Sequence, residues 1–219
     1  MPNFAVMLDK ETLQNLRQNY MQAAFNESDA DNNPFVQFDQ WFNHALECHI
    51  LEPNALNIAT VDESGHPNLR TVLLKGVDTG FVFYTNYESA KGRELIHTPY
   101  AAMSLLWLDI ARQIRIRGKV EKVNAAESDE YFHSRPFESQ LGAVASKQSQ
   151  PLQNRQQLES IFEKLHQNHP KEVERPSNWG GFRLIPNHFE FWQGRSNRLH
   201  DRICYDLKEG IWVKGRLFP

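Results

Sequence analysis

The stretch "RQIRIRGKVEKV", residues 112–123, decides the fold class, because its side chains alternate between apolar and charged. Ile114, Ile116 and Val120 fall on one face of an extended strand, and the charged residues between them fall on the other. The pattern predicts a strand with one buried face, and a charged face of this kind is typical of a surface in water. Gln113 begins the strand and can turn toward a ligand.

Similar short runs stand on both sides of this strand, separated by turn formers such as "DESGHP" and "DTG". They are "ALNIATVD", "LRTVLLKG", "FVFYTN" and "AAMSLLWLD" before it, and "WGGFRLIPNHFEFWQG", "DRICYDL" and "GIWVKG" after it. Several strands joined by short turns predict an antiparallel sheet or barrel. Helical patterns surround them: the first fifty residues are predicted helical, most clearly from the Asn33 cap and Pro34 onward, and further helices are predicted near 125–135 and 153–169. The predicted fold class is therefore α+β, in one domain.

Composition limits the possible functions. The 219 residues are 40% apolar with a net charge of −3, which excludes a disordered chain and disfavours a general binder of nucleic acid or anionic membrane. Cys48 and Cys204 form no disulfide framework or zinc motif, as expected in a reducing cytosol. The longest apolar run, "AAMSLLWL", is too short to span a bilayer, and the start is unlike a signal peptide. We expect a cytoplasmic protein without a membrane segment.

Positive charge is concentrated in "QGRSNRLHDR", residues 193–202. In extended backbone, Arg198, His200 and Arg202 would share one face, where like charges repel unless something anionic or aromatic separates them. Trp192 beside them favours a planar ligand stacked under a guanidinium. An exposed basic strand is the alternative.

The stretch "YFHSRPFESQ" places Tyr131, Arg135 and Ser139 four residues apart. Their phenol, guanidinium and hydroxyl would suit a phosphate dianion. Pro136 is expected to break the helix, since the residue before proline disfavours the α region. A plain surface helix is the alternative.

Two other segments also favour an anion. In "RTVLLK", Arg70 and Lys75 emerge at the two ends of an apolar strand, and in "YTNYESAKGREL" a helix begins at Ser89 with Lys91 and Arg93 in its first turns. Cations there oppose the helix dipole, which indicates a nearby anion. The chain has no GxxxxGK[ST], GxGxxG, HExxH or GxSxG motif.

Together, "RTVLLK", "FYTNYESAKGREL", "RQIRIRGKVEKV", "YFHSRPFESQLGA", "SKQSQ", "WGGFRLIP", "FEFWQG" and "NRLHDR" resemble the pyridoxine/pyridoxamine 5′-phosphate oxidase family, from about Arg17 to the terminal "RLFP". The resemblance implies a split β-barrel homodimer with surrounding helices that binds two FMN molecules at the subunit interface. It also implies that residues 1–33 form a helical or flexible segment closing over the active site, and that residues 34–219 form the FMN-binding split-barrel domain.

The resemblance further implies which residues act. The implied FMN contacts are Arg70, Thr71, Val72, Leu73, Leu74, Lys75, Tyr84, Thr85, Lys91, Gln113, Gln148, Ser149, Trp192 and Arg202. The implied substrate contacts are Arg17, Tyr20, Lys75, Tyr131, Arg135, Ser139, Arg198 and His200. Arg198 and His200 are the implied catalytic residues, lying over the pyridine ring, and no metal is implied.

The activity that the resemblance implies is oxidation of pyridoxine and pyridoxamine 5′-phosphates to pyridoxal 5′-phosphate in vitamin B6 metabolism. Oxygen is consumed, hydrogen peroxide is released, and the amine also yields ammonia. Two alternatives stay open: a split-barrel flavin reductase without the vitamin substrate, and a non-catalytic carrier of FMN or pyridoxal phosphate. The segments "YFHSRPFESQ" and "NRLHDR" disfavour the reductase, which needs no second phosphate clamp.

Three positions depart from the family pattern. Ala90 stands where relatives commonly have a basic residue, so one flavin-phosphate contact is missing or is supplied by Arg93. Glu52 stands where a shorter aspartate occurs in relatives, and "WLDIARQI" is less typical than the segments beside it.

Overall fold

The computed structural model describes residues 14–15, 24–169 and 171–219. The helices are α1 (Pro34–Glu47), α2 (Ala90–His97), α3 (Ala125–Ser134), α4 (Phe137–Ala145) and α5 (Arg155–Asn168). The strands are β1 (Ala55–Val61), β2 (Pro67–Leu73), β3 (Gly76–Val77), β4 (Phe81–Asn86), β5 (Tyr100–Trp107), β6 (Arg112–Lys122), β7 (Trp179–Gln193), β8 (Asp201–Lys208) and β9 (Ile211–Arg216). Within the described ranges, no helix has the length and apolar character needed to cross a membrane.

The strands form one curled antiparallel sheet in the order β2-β1-β5-β6-β7-β4-β3, with β8 and β9 continuing from the second half of β7. The long strand β7 makes this branching possible. Its residues 179–184 pair with β4, its residues 188–193 pair with β8, and its other edge pairs with β6. The predicted α+β class with an antiparallel sheet is therefore confirmed.

The sheet bends where the register between β6 and β7 shifts, between Arg117 and Gly118. A Cβ atom on Gly118 would lie 1.9 Å from the carbonyl oxygen of Ile185, a distance that no side chain tolerates. Gly118 is therefore required for this bulge, which increases the local twist of the strand.

Helix α1 packs against the sheet through aromatic side chains. Asn33 caps it by accepting a hydrogen bond from the Phe35 amide at 3.0 Å, and Pro34 occupies its first position, as predicted. Phe38 and Trp41 are almost fully buried, and Trp41 packs edge-on against Phe191 of β7. Burial of this aromatic face fixes the helix against the sheet.

A second, smaller core lies under α3, α4 and the start of β7. It contains Phe132, Leu141, Val173 and Trp179, and Tyr131 packs against it. Helix α3 ends at Ser134, and the next residue has extended backbone with ψ 151° because Pro136 follows it. The break predicted at Pro136 is thus confirmed.

Residues 24–33 are not helical in the structure, unlike the prediction for the first fifty residues, and they are attached to β8 and β9. The Phe25 amide donates to Asp201 Oδ2 at 3.0 Å, and Arg216 pairs with both Glu27 and Asp201. Tyr205 donates its hydroxyl hydrogen to the carbonyl of Asp31 at 2.6 Å. The predicted helical or flexible segment 1–33 otherwise lies outside the described residues, except Gln14 and Asn15.

We expect acid to release this attachment. Hydrogen bonds from Arg216 lower the pKa of Glu27 from 4.5 to about 2, so its stabilising effect is complete above pH 4.5 and is lost as pH falls toward 2. The protection factor of the Phe25 amide and its neighbours, taken against the intrinsic exchange rate at each pH, should fall over that range. In Glu27→Gln the protection should already be low at neutral pH, whereas Glu163→Gln on exposed α5 should match wild type. An unchanged pH profile in Glu27→Gln would contradict the assignment.

Candidate active site

A cleft of about 630 Å³ opens between the ends of β2 and β4 on one side and helices α3 and α4 on the other. Many of the residues predicted to bind FMN or substrate line it: Thr71, Val72, Leu73, Lys75, Tyr84, Thr85, Lys91, Tyr131, Arg135, Ser139 and Gln148. These predicted residues alone span 77 positions of the sequence, from Thr71 to Gln148, and they meet at one place.

The cleft is positively charged although the chain as a whole is negative. Lys75, Lys91 and Arg135 line it, and no aspartate or glutamate does so among the described residues. Three cations with no carboxylate in the described lining make the cleft a site for anions of more than one charge.

Lys91 lies in the first turn of α2, whose N-cap is Ser89. Its side chain is buried, and its Nζ donates to Thr85 Oγ1 at 3.1 Å, while Thr85 Oγ1 donates to Gln148 Oε1 at 3.0 Å. Burial lowers the pKa of Lys91. A desolvated cation of this kind is stabilised by an anion placed beside it.

Two residues of the "RTVLLK" segment do not line the cleft. Arg70 pairs with Glu94 of α2, with Nη2 2.9 Å from Oε2, and it also hydrogen-bonds to Thr60. Leu74 is buried in the main core. These two predicted cofactor contacts are therefore occupied by interactions outside the cleft lining.

Arg135 follows the end of α3 and reaches into the cleft. Its guanidinium lies 4.8 Å from the centroid of the Trp179 ring, and its Nη1 is buried without a hydrogen-bond partner among the described residues. Burial lowers its pKa, although arginine stays protonated. A buried cationic donor without a partner is costly unless a ligand satisfies it.

The cleft wall beneath Arg135 is aromatic. Tyr131 stacks on Tyr84 with ring centroids 3.9 Å apart, and Trp179 lies nearly parallel to both. The sequence motifs predict no role for Trp179. A sequence signal existed in "NWGGF", where two glycines follow the tryptophan, but its partner Arg135 is 44 positions away.

Three other predicted cofactor contacts form a row elsewhere on the sheet. Gln113 of β6 pairs in register with Trp192 of β7, which pairs with Arg202 of β8. Register partners project from the same face of a sheet, so the three side chains are neighbours. Arg202 is held by Glu190, a buried carboxylate that also binds Arg115. This row does not line the cleft of the same chain.

The predicted catalytic residues lie beside this row. The extended arrangement predicted for Arg198 and His200 is wrong: residues Ser196–Arg198 form a 3-10 turn, and β8 starts only at Asp201. Asn197 and Arg198 have left-handed backbone, with φ 57° and 62°. The turn forms because Asn tolerates this conformation, whereas Arg accepts it at a cost.

His200 contacts the indole of Trp192, with ring centroids 4.7 Å apart. Its Nδ1 accepts a hydrogen bond from the Arg195 amide at 3.0 Å, which places the proton of the neutral ring on Nε2. Burial, and then Arg198, lower the pKa of His200 below 6.5, so the ring is neutral at neutral pH.

Three predicted contacts remain. Ser149 is exposed in the turn after Gln148, with φ 69°, and does not line the cleft. Arg17 and Tyr20 lie outside the described residues.

Comparison with known proteins identifies the family. Residues 42–169 match the pyridoxamine 5′-phosphate oxidase family model, and residues 179–219 match the pyridoxine 5′-phosphate oxidase C-terminal dimerisation region. The chain belongs to the pyridoxamine 5′-phosphate oxidase family. Pyridoxine/pyridoxamine 5′-phosphate oxidase from Gloeothece citriformis is 52% identical over 212 residues, covering 95% of this chain and 99% of the relative. The protein of that name from Burkholderia pseudomallei is 51% identical with the same coverage.

Solved structures agree with this assignment. A crystal structure of PhzG from Burkholderia lata in complex with tetrahydrophenazine-1-carboxylic acid has a TM-score of 0.87 at 30% identity, covering 91% of this chain and 99% of PhzG. A pyridoxamine 5′-phosphate oxidase-related, FMN-binding protein from Nostoc punctiforme has a TM-score of 0.68 at 19% identity, which shows the fold alone. The predicted family and split-barrel fold are confirmed, and the family is one of flavin-dependent oxidoreductases.

Proposed function

We propose that this protein uses FMN to oxidise pyridoxine 5′-phosphate and pyridoxamine 5′-phosphate to pyridoxal 5′-phosphate. One oxygen molecule is consumed and one hydrogen peroxide released per turnover, and the amine also consumes water and releases ammonia. The observation that carries the proposal is the cleft with three cations and no carboxylate among its described lining residues, since this reaction needs two phosphorylated ligands in one site.

The residues present fit FMN. Buried Lys91 and Thr85 form a hydrogen-bonded group with Gln148 that contains a desolvated cation, and Thr71 and Lys75 line the same cleft. We propose that these residues, with Val72, Leu73 and Tyr84, hold the cofactor. Bound FMN supplies a two-electron oxidant that molecular oxygen regenerates.

The substrate phosphate would be held by Lys75, Tyr131, Arg135 and Ser139. The unsatisfied Nη1 of Arg135 supports this assignment, because a phosphate oxygen would remove the cost of leaving it buried without a partner. The phosphate is remote from the carbon that is oxidised, so its binding energy can orient that carbon.

We propose that a second copy of the chain completes the site. Within one chain, the cleft and the group formed by Gln113, Trp192, Arg198, His200 and Arg202 are separate, and the last four lie in the segment matching the dimerisation region. In the homodimer, Arg198 would stabilise negative charge on the substrate ring. Neutral His200 would donate from Nε2 and position the ring.

Intersubunit complementation tests this arrangement. Mixed dimers of one Arg135→Ala chain and one Arg198→Ala chain should recover about half the wild-type kcat/KM, because one of the two sites then has both arginines. Each variant homodimer should have only a few per cent of the wild-type value. If the two arginines acted within one chain, every site of the mixed dimer would be defective and no recovery would be seen.

Oxygen consumption tests the activity itself. The FMN-loaded protein should consume oxygen with pyridoxine 5′-phosphate but hardly with unphosphorylated pyridoxine at the same concentration. Reduction of free flavin by a nicotinamide donor without such consumption would indicate the reductase. Ligand binding with no turnover of any kind would indicate the carrier.

The complex of PhzG with tetrahydrophenazine-1-carboxylic acid suggests an alternative substrate class for this protein, a tricyclic carboxylic acid without phosphate. Such a ligand offers one carboxylate with two oxygens, whereas Lys75, Tyr131, Arg135 and Ser139 line the cleft with a donor set suited to the three terminal oxygens of a phosphate. Phosphorylated substrates are therefore favoured.

A further inference from the structure

Arg135 differs from two other arginines near the cleft because no carboxylate among the described residues pairs with it. Arg70 pairs with Glu94, and Arg183 lies between Asp78 and Glu127. Within the described part of the chain, Arg135 forms no ion pair. Its guanidinium instead lies over the face of Trp179, at 4.8 Å from the ring centroid.

Trp179 is itself held firmly. It is 7% exposed and begins β7, paired with Asn86. Its ring is within 14° of parallel to Tyr84 and within 7° of parallel to Tyr131, and Phe132 packs against it edge-on at 5.2 Å. The indole therefore has little freedom to move.

We propose that Trp179 is a positioning residue for phosphate recognition, resting on the function proposed above. Its ring fixes the guanidinium of Arg135 and the phenol of Tyr131, the two clamp residues that it contacts. An aromatic face orients a cation without neutralising it, whereas a carboxylate would compete with the phosphate for the same charge. Trp179 thereby contributes to selectivity for phosphorylated over unphosphorylated ligands.

The test compares Trp179→Leu with Trp179→Phe. Removing the aromatic face should raise the KM for pyridoxine 5′-phosphate about 3- to 30-fold, with much smaller changes in kcat and in the Kd for FMN. Phenylalanine keeps a π face and should restore most of the loss. Trp212→Leu, which removes a tryptophan from β9 outside the cleft, is the matched control and should leave KM unchanged.

A binding measurement separates positioning from a general structural role. Equilibrium dialysis of the FMN-loaded protein should show weaker binding of pyridoxal 5′-phosphate in Trp179→Leu, with binding of unphosphorylated pyridoxal unchanged. In an Arg135→Ala background the leucine substitution should have a much smaller further effect, since only the Tyr131 phenol is then left for the ring to position.

Equal losses for both ligands, or a parallel fall in kcat and FMN affinity, would overturn the proposal. So would a phenylalanine variant as weak as the leucine variant. Failure of wild type to oxidise pyridoxine 5′-phosphate would instead count against the proposed function, and the dialysis comparison would still report on Trp179.

Discussion

Replacing Arg198 with alanine is expected to lower kcat about 100-fold or more while the protein retains its flavin. Arg198 is the proposed electrostatic partner of the substrate ring, and it lies in a turn rather than among the residues that line the cleft. FMN affinity should therefore change little. Steady-state kinetics and flavin fluorescence on the same preparation measure both quantities.

The left-handed backbone of Arg198 allows a second variant to separate its catalytic effect from its effect on stability. Its φ of 62° costs an arginine on the order of 1 kcal/mol, a strain that glycine does not have. Arg198→Gly should therefore reduce kcat as far as alanine does, yet unfold at no lower urea concentration than wild type. Arg155→Ala, on the exposed face of α5, is the control. Unchanged turnover at saturating substrate would remove Arg198 from its role.

Replacing Arg135 with alanine is expected to act mainly on KM. The variant loses a charge-assisted hydrogen bond to the substrate phosphate, which corresponds to about a 10- to 100-fold rise in KM. The reacting carbon is remote from this contact, so kcat should fall much less. Arg135→Lys should be intermediate, because lysine keeps the charge but not the planar fork.

Unphosphorylated pyridoxine provides the internal control for Arg135. Its slow oxidation should be the same in wild type and Arg135→Ala, since it lacks the group that Arg135 binds. An unaltered KM for pyridoxine 5′-phosphate would contradict the clamp, and equal effects on both substrates would point to a disturbed cleft.

Local patterns predicted much of this fold. Alternation in residues 112–123 gives a strand with Ile114 and Ile116 buried and Arg115 and Arg117 exposed. The cap and proline at the start of α1 are also where the sequence places them. These features depend only on residues that are close in the sequence, so a short stretch of sequence is enough to predict them.

Long-range pairing accounts for what the sequence did not reveal. Arg70 was expected to emerge at a strand end, but Glu94 on a helix 24 positions away binds it. The prediction of extended backbone at Arg198 is wrong because an alternating pattern gives no information about a left-handed turn at Asn197. The role of Trp179 depends on Arg135, which only the packing of α3 against β7 brings close.

The most direct test is an anaerobic titration of the FMN-loaded protein with pyridoxine 5′-phosphate, followed by visible absorption before and after air is admitted. We expect the yellow colour to bleach on addition of the phosphate ester and to return with oxygen, while unphosphorylated pyridoxine at the same concentration leaves it almost unchanged. A protein that stays yellow throughout would contradict the proposed oxidation.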